Sequence, residues 1–221
     1  YLNSKINSLT FWIIQAQENP ADSRDILGRR EWRSNTLAEH LADRGHDVTR
    51  WRSAFSHNKK SMLVSGNELV RHDNYLHQFI NCTQYQNHIG LMRVISHYLL
   101  GYNFSKVAAK LPKPSLIHVG NVPSELAYQA VRYGKKIGCP VVVDIRDLWP
   151  DVFVDRLPRF LNTSASSILG LLKRISFRLK YSLREATSIT AITNPFLDWA
   201  LEIANRKRNE LDKVMYMCNS S

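Results

Sequence analysis

Short apolar runs and stretches with helical periodicity alternate along the whole chain. Phe11 to Ile14 forms a first apolar run, and a long polar loop to about Arg30 follows it. Leu37, Ala38, Leu41 and Ala42 then recur at i, i+1, i+4 and i+5, which predicts a helix that Gly45-His46 ends. Asp47 to Trp51 reads as a second strand and Asn74 to Ile80 as a third. A helix is predicted over Leu91 to Lys110 through Val94, Ile95 and Leu99, and a fourth strand over Leu116 to Val119, after Pro112 and Pro114. A helix from Ser124 to Lys136 precedes Val141 to Ile145, which Gly138-Cys139-Pro140 introduces. That run has the character of a strand buried on both faces of a parallel sheet. A helix of about twenty residues ending near Arg184, a strand at Ser188 to Ile192, a helix from Pro195 to Ala204 and a last strand at Lys213 to Met217 complete the order. Strands alternating with helices at this spacing predict a doubly wound, mainly parallel α/β sheet with helices on both faces, in one domain spanning residues 1–221. No internal repeat or low-complexity linker interrupts it.

In such sheets ligands bind outside the carboxyl ends of the strands, which directs attention to Val141-Val142-Val143-Asp144-Ile145-Arg146-Asp147-Leu148-Trp149-Pro150-Asp151. Asp144, Arg146, Asp147 and Asp151 stand where a polar ligand could be held. The alternative is that these charges pair with one another and cap the strand. His118, at the end of the fourth strand, with Asn121 behind it, is a second candidate group. Thr193 and Asn194 face the same edge from the sixth strand, although Asn194-Pro195 also explains itself as a helix start.

With 221 residues, 44% of them hydrophobic, the chain can bury a sizeable core. Its three cysteines, Cys82, Cys139 and Cys218, lack any CxxC spacing, so neither a disulfide framework nor a zinc site is expected, and a reducing, cytoplasmic setting fits best. No apolar run approaches the roughly 20 residues a bilayer span needs, and no secretion signal opens the chain. A net charge of +11 suits phosphorylated ligands, an anionic membrane face or nucleic acid. The cations cluster at Arg24 to Arg33, Lys173 to Arg184 and Arg206-Lys207-Arg208. No ladder of aromatics and no RNP or zinc-finger pattern accompanies them, so nucleic acid is not expected as a partner. The turn after the first strand lacks GxGxxG, which disfavours a dehydrogenase.

The segment Leu37-Ala38-Glu39-His40-Leu41-Ala42-Asp43-Arg44-Gly45-His46-Asp47-Val48, the Val141 to Asp151 block and Ala191-Ile192-Thr193 together resemble the N-terminal, Rossmann-like domain of a GT-B glycosyltransferase of family 4. The likeness is strongest to the bacterial branch that builds surface polysaccharides, such as O-antigen or capsule. It implies a retaining transferase that moves a sugar from a nucleotide-sugar donor to a lipid-linked or oligosaccharide acceptor, with no metal cofactor. It also implies that the acceptor is held mostly by this domain and the donor by a C-terminal domain carrying paired glutamates, absent from this chain, so that the chain alone is expected to be inactive. Gly28, Arg29 and Arg30 fall near the family's glycine-containing loop that approaches donor phosphate. Only Gly28 of the usual paired glycines is present, which shifts weight to Arg29, Arg30 and Arg33, whose guanidinium groups suit phosphate. Asp147 matches the region where family members carry an acid or histidine close to the transferred sugar. The resemblance thus makes Asp147 and His118 the catalytic candidates and places Arg146, Asp151, Asn121, Thr193 and Asn194 with Gly28 and the arginines as substrate-binding ones.

The helix ending at Arg184 is amphipathic. Ile168, Leu172, Ile175, Leu179 and Leu183 share one face, and Lys173, Lys180 and Arg184, flanked by Arg174 and Arg178, share the other. That predicts an outward cationic ridge, either a solvated face or a means of peripheral docking on the inner face of the cell membrane. A non-catalytic binding module and one subunit of a split transferase remain the alternatives to a transferase half, and after them a basic nucleic-acid-binding protein.

Overall fold

The computed structural model describes residues 8–18, 32–72, 74–86, 90–149 and 165–216. Gly28, Arg29, Arg30, Asp151 and the expected end of the last strand at Met217 lie outside these residues. Strands β1 (Thr10–Ile14), β2 (Asp47–Ser53), β5 (Leu69–His72), β6 (Tyr75–Ile80), β7 (Leu116–Gly120), β8 (Val141–Ile145), β9 (Ser188–Ala191) and β10 (Lys213–Val214) form one sheet in the order β10-β9-β8-β7-β1-β2-β6-β5. Every neighbouring pair is parallel except β5 with β6. A small antiparallel hairpin of β3 (Phe55–Ser56) and β4 (Ser61–Met62) projects after β2. The helices are α1 (Arg33–Asp43), α2 (Leu91–Ala108), α3 (Ser124–Ile137), α4 (Ala165–Glu185) and α5 (Asn194–Ala204). The doubly wound, mainly parallel α/β fold expected from the alternating pattern is the fold observed.

Local chemistry explains the boundaries. After α1 the chain turns through Gly45 at φ 83°, where the amides of Gly45 and His46 return to the carbonyls of Ala42 and Leu41. This double capping of orphan carbonyls requires a left-handed residue, which glycine supplies without strain. Gly138, at φ 71°, ends α3 in the same way. Thr193 caps α5, its Oγ1 accepting the Phe196 amide at 3.4 Å, with Pro195 in the first turn.

The two faces of the sheet differ. Trp12, Ile14, Trp51, Ile117, Val119, Val141, Val143, Ile145, Ile189 and Ala191 point to one side and join α2 to α5 in the main apolar core. Trp12 stacks on Tyr133 of α3, and Phe104 of α2 packs edge-on to Trp12 and Trp51. On the other side Ile13, Val48 and Tyr75 meet Ala38, Leu37 and Leu41 of α1 in a smaller cluster.

Two expectations need correction. The hairpin β3–β4 and the edge strand β5 were not foreseen, because their runs are short and the apolar residues of β5, Leu69 and Val70, are exposed and carry no burial pattern. The cationic ridge of α4 is also narrower than its periodicity implied. Lys173, Arg174, Lys180 and Arg184 are exposed, but Arg178 turns inward to pair with Glu125 of α3, and it lies over the ring of Tyr128. A carboxylate and an aromatic face outbid water for that guanidinium. Among the described residues no helix is long and apolar enough to cross a membrane.

Candidate functional site

Strand β1 lies between β2 and β7, and the chain builds outward from it in both directions. After β1 it passes to α1 on one face, and after β7 to α3 on the other, so the carboxyl ends of β1 and β7 flank the crevice where ligands bind in open α/β sheets. Gly120 is the last residue of β7. A Cβ on it would lie 2.3 Å from the Gln15 amide, so the absence of a side chain there lets Gln15 cross the strand end.

Four residues beyond the end of β1, Glu18 is buried and organises the crevice. Its carboxylate accepts from Arg50 Nη2 at 2.8 Å, from Arg146 Nη1 and from the Ser34 hydroxyl in the first turn of α1. Arg52 donates to the Glu18 carbonyl at 3.0 Å. A second carboxylate, Asp144, is fully buried on the same face of the sheet. It accepts from Arg146 Nε at 2.6 Å, Arg33 Nη2 at 3.2 Å and the Thr190 hydroxyl at 2.7 Å.

The electrostatics follow from this geometry. Burial disfavours charge on Asp144, but the neighbouring His118, Arg146 and Arg33 and the Thr190 hydrogen bond outweigh it and hold the carboxyl below its usual range. Burial likewise opposes the charge of Arg146, and Glu18 and Asp144 reverse that effect. Arg50 is less fortunate: burial lowers its pKa and Glu18 only partly compensates. Its Nε and Nη1, and Nη2 of Arg146, have no hydrogen-bond partner among the described residues. The cluster therefore combines two carboxylates with guanidinium groups whose donors are not all spent.

The residues singled out from sequence divide in their placement. Asn121 is buried and clamps the chain after β8, its Oδ1 accepting the Arg146 amide at 3.3 Å and its Nδ2 donating to the Asp147 carbonyl at 2.7 Å. The clamp fixes the backbone of Asp147, whose side chain is exposed at the edge of the crevice. Arg146 and Arg33 meet at Asp144. His118 sits lower, two residues before the end of β7, and is 7% exposed; burial lowers its pKa, and Asp144 counteracts that in part. Thr193 is committed to the α5 cap, and Asn194 is exposed beside it.

Nearer α2, other residues collect at the same edge. Gln17 Nε2 is 3.3 Å from His97 Nε2, and His57 Nδ1 is 2.7 Å from the Tyr85 hydroxyl. Lys60 lies over the Tyr85 ring, and Arg93 over the ring of Trp149. Burial, with Arg93 and His57 nearby, pushes the His97 pKa down to about 3, so its ring is neutral and accepts from the Gln17 amide. Sequence reasoning missed Glu18, Arg50, Arg52 and this second group. The available signal was Arg50 and Arg52 alternating with Thr49 and Trp51 in a strand otherwise destined for burial. Among the described residues no cluster of His, Cys, Asp and Glu is arranged to hold a metal ion.

No protein-family model and no curated protein matches the chain. Solved structures do. A sucrose-phosphate synthase from Thermosynechococcus elongatus superimposes with a TM-score of 0.51 at 12% identity, over 94% of this chain and 87% of that one. Arabidopsis thaliana UGT89C1 in complex with UDP gives 0.51 at 10% identity, over 94% of this chain and 52% of that one. An α,α-trehalose 6-phosphate synthase from Burkholderia multivorans gives 0.50 at 10% identity, over 88% of this chain and 42% of that one. The present chain thus spans about half the length of the plant enzyme and less of the last. At these identities the likeness is one of fold, and the fold is one that GT-B glycosyltransferases have.

Proposed function

We propose that this chain is the acceptor-side domain of a retaining family 4 glycosyltransferase of surface-polysaccharide synthesis, acting with a donor-binding domain on a nucleotide-sugar and a lipid-linked saccharide. One observation carries the reading: Asn121 clamps the chain after β8 so that the exposed Asp147 stands at the carboxyl edge of the sheet beside the buried Glu18–Arg146–Asp144 network. A carboxylate held on such a rigid edge can orient an acceptor hydroxyl or stabilise positive charge on the transferred sugar. Arg33 and Arg146, with Gly28, Arg29, Arg30 and Asp151, would face donor phosphate and acceptor, and Thr193 and Asn194 would border the acceptor. His118 would tune the buried network from beneath. The phosphate charge is met by arginine in this scheme and no metal is invoked. The test is Asp147→Asn in the complete enzyme, with folding checked by circular dichroism. A loss of transfer on the order of 100-fold is expected for a positioned acid–base group, and near wild-type turnover would sink the assignment.

A peripheral place on the inner membrane face is part of the same proposal. Met92, Ile95, Tyr98 and Tyr102 are exposed along α2, and Phe177 on α4. Lys106 lies 4.3 Å from the Tyr102 ring centroid and Arg174 5.8 Å from that of Tyr98. Exposed aromatics interleaved with cations suit the boundary between acyl chains and anionic headgroups. Co-sedimentation with anionic but not zwitterionic vesicles is expected, and equal retention in the supernatant with both would remove this element.

A further inference from the structure

The hydrogen bonds around Glu18 leave donors over. Its carboxylate has two oxygens: Oε2 accepts from Arg50 Nη2 at 2.8 Å and from the Ser34 hydroxyl, and Oε1 accepts from Arg146 Nη1. Arg50 and Arg146 thus converge by direct contact on one acceptor group. Nε and Nη1 of Arg50 and Nη2 of Arg146 are buried beside it and find no hydrogen-bond partner among the described residues. Arg50 is 0% exposed, so its two remaining donors have no bulk water to turn to. Buried donors left in this way are costly, and in native proteins they mark places where a water or an ion belongs. The same place is a helix start. Ser34 stands in the first turn of α1, a helix of 11 residues whose N-cap, Trp32, makes no side-chain capping bond and whose first turn holds no acidic residue. The amides that open a helix and its dipole favour an anion there, and the anion present is Glu18, reaching in from the loop after β1.

We infer that Arg50, Arg146 and the start of α1 form an oxyanion site for a substrate phosphate, in which the Glu18 carboxylate is a resident competitor that the phosphate displaces. A planar carboxylate offers two oxygens, whereas a phosphate presents three or more around a tetrahedral centre and so reaches donors that Glu18 leaves idle. Withdrawal of the carboxylate opens the space, and the side chain of Arg146, 17% exposed, links the site to the surface. That the phosphate belongs to a nucleotide-sugar or a lipid-linked saccharide rests on the transferase reading; the site itself rests on the unmatched donors.

Calorimetric titration with inorganic phosphate, paired with thermal melts in phosphate and in chloride of equal ionic strength, tests the displacement. Glu18→Gln removes the competitor, so phosphate is expected to bind this variant at least about tenfold more tightly than wild type and to restore melting temperature lost by the substitution. Chloride should restore none of it. Arg146→Gln keeps the Arg50–Glu18 pair and should weaken phosphate binding by about the same factor, so it decides the matter if Glu18→Gln does not fold. Equal effects of phosphate and chloride on Glu18→Gln, or phosphate binding by Arg146→Gln as tight as by wild type, overturn the proposal. Uridine diphosphate and a short prenyl-diphosphate saccharide separate the sources. Whichever binds Glu18→Gln more tightly than inorganic phosphate carries the group, and no gain from either overturns its assignment to a substrate. If phosphate rescues Glu18→Gln while the complete enzyme transfers no sugar, the site stands and the transferase reading falls; normal transfer with no preference for phosphate over chloride gives the reverse.

Discussion

On one face of the sheet β1, β2, β7 and β8 present Trp12, Ile14, Trp51, Ile117, Val119, Val143 and Ile145, covered by four helices. On the other face the same strands present Arg50, Arg52, His118 and Asp144, all buried, with Glu18 brought in from the loop after β1. The first face is stabilised by apolar area and close packing, which are spread over many contacts and need no particular partner. The second is stabilised only while each charge keeps its specific counterpart, because an unpaired buried charge costs several kilocalories per mole. A chain selected for stability alone would have no reason to prefer the second solution. It lies at the carboxyl ends of β1, β7 and β8, the edge at which open α/β sheets hold their ligands.

The contrast can be tested by substitution. Trp51→Ala and Glu18→Gln should each cost about 3–5 kcal/mol in urea unfolding, the first by opening a cavity and the second by stranding Arg50 and Arg146. They should differ in rescue. Adding Arg50→Met to Glu18→Gln should recover part of the loss, with a coupling of about 0.5–3 kcal/mol, whereas the same Arg50→Met change added to Trp51→Ala should recover nothing. Strict additivity in the Glu18–Arg50 cycle would mean that the polar face is not the interdependent network described above.

A smaller effect should appear with pH at the edge of the α2 side. His97 is neutral in the folded chain, with a pKa of about 3, and takes up a proton once unfolded below about pH 6.5. Stability is therefore complete above pH 6.5 and falls as the pH drops toward 3, by up to about 1.4 kcal/mol per pH unit. His97→Gln should flatten the dependence of the urea midpoint between pH 7 and 5; an unchanged slope would place the titrating group elsewhere. Asp144 acts in a lower window. With its folded pKa depressed, its contribution is present above the usual carboxylate range and lost in stronger acid. The smallest effect is expected at Phe177→Ala, outside both faces, which should shift stability by less than about 0.5 kcal/mol while weakening retention on anionic vesicles.

Most of the fold could be read from the sequence. The Phe11 to Ile14 and Val141 to Val143 runs are apolar on both sides because both faces of the sheet are covered, and Gly45 and Gly138 mark the helix ends by the conformations they adopt. The edge strand β5 could not be read, since at a sheet edge with exposed Leu69 and Val70 no apolar pattern forms. The site was legible only in part. Asp144, Arg146 and Asp147 announced themselves as charges ending a buried strand. Glu18 sat unremarked in a polar loop, and Arg50 and Arg52 resembled the solvated side of a half-exposed strand.

The alternation of strands and helices, and through it the parallel sheet, follows from the order of residues alone, because apolar periodicity is a local signal that burial reads residue by residue. The meeting of Glu18 with Arg50, 32 residues away, and with Arg146, 128 residues away, came only with the packing of the strands. An ion pair depends on which strands become neighbours and in what register, and no local pattern encodes that. The crevice with its charged network is a product of strand order, with β1 set between β2 and β7.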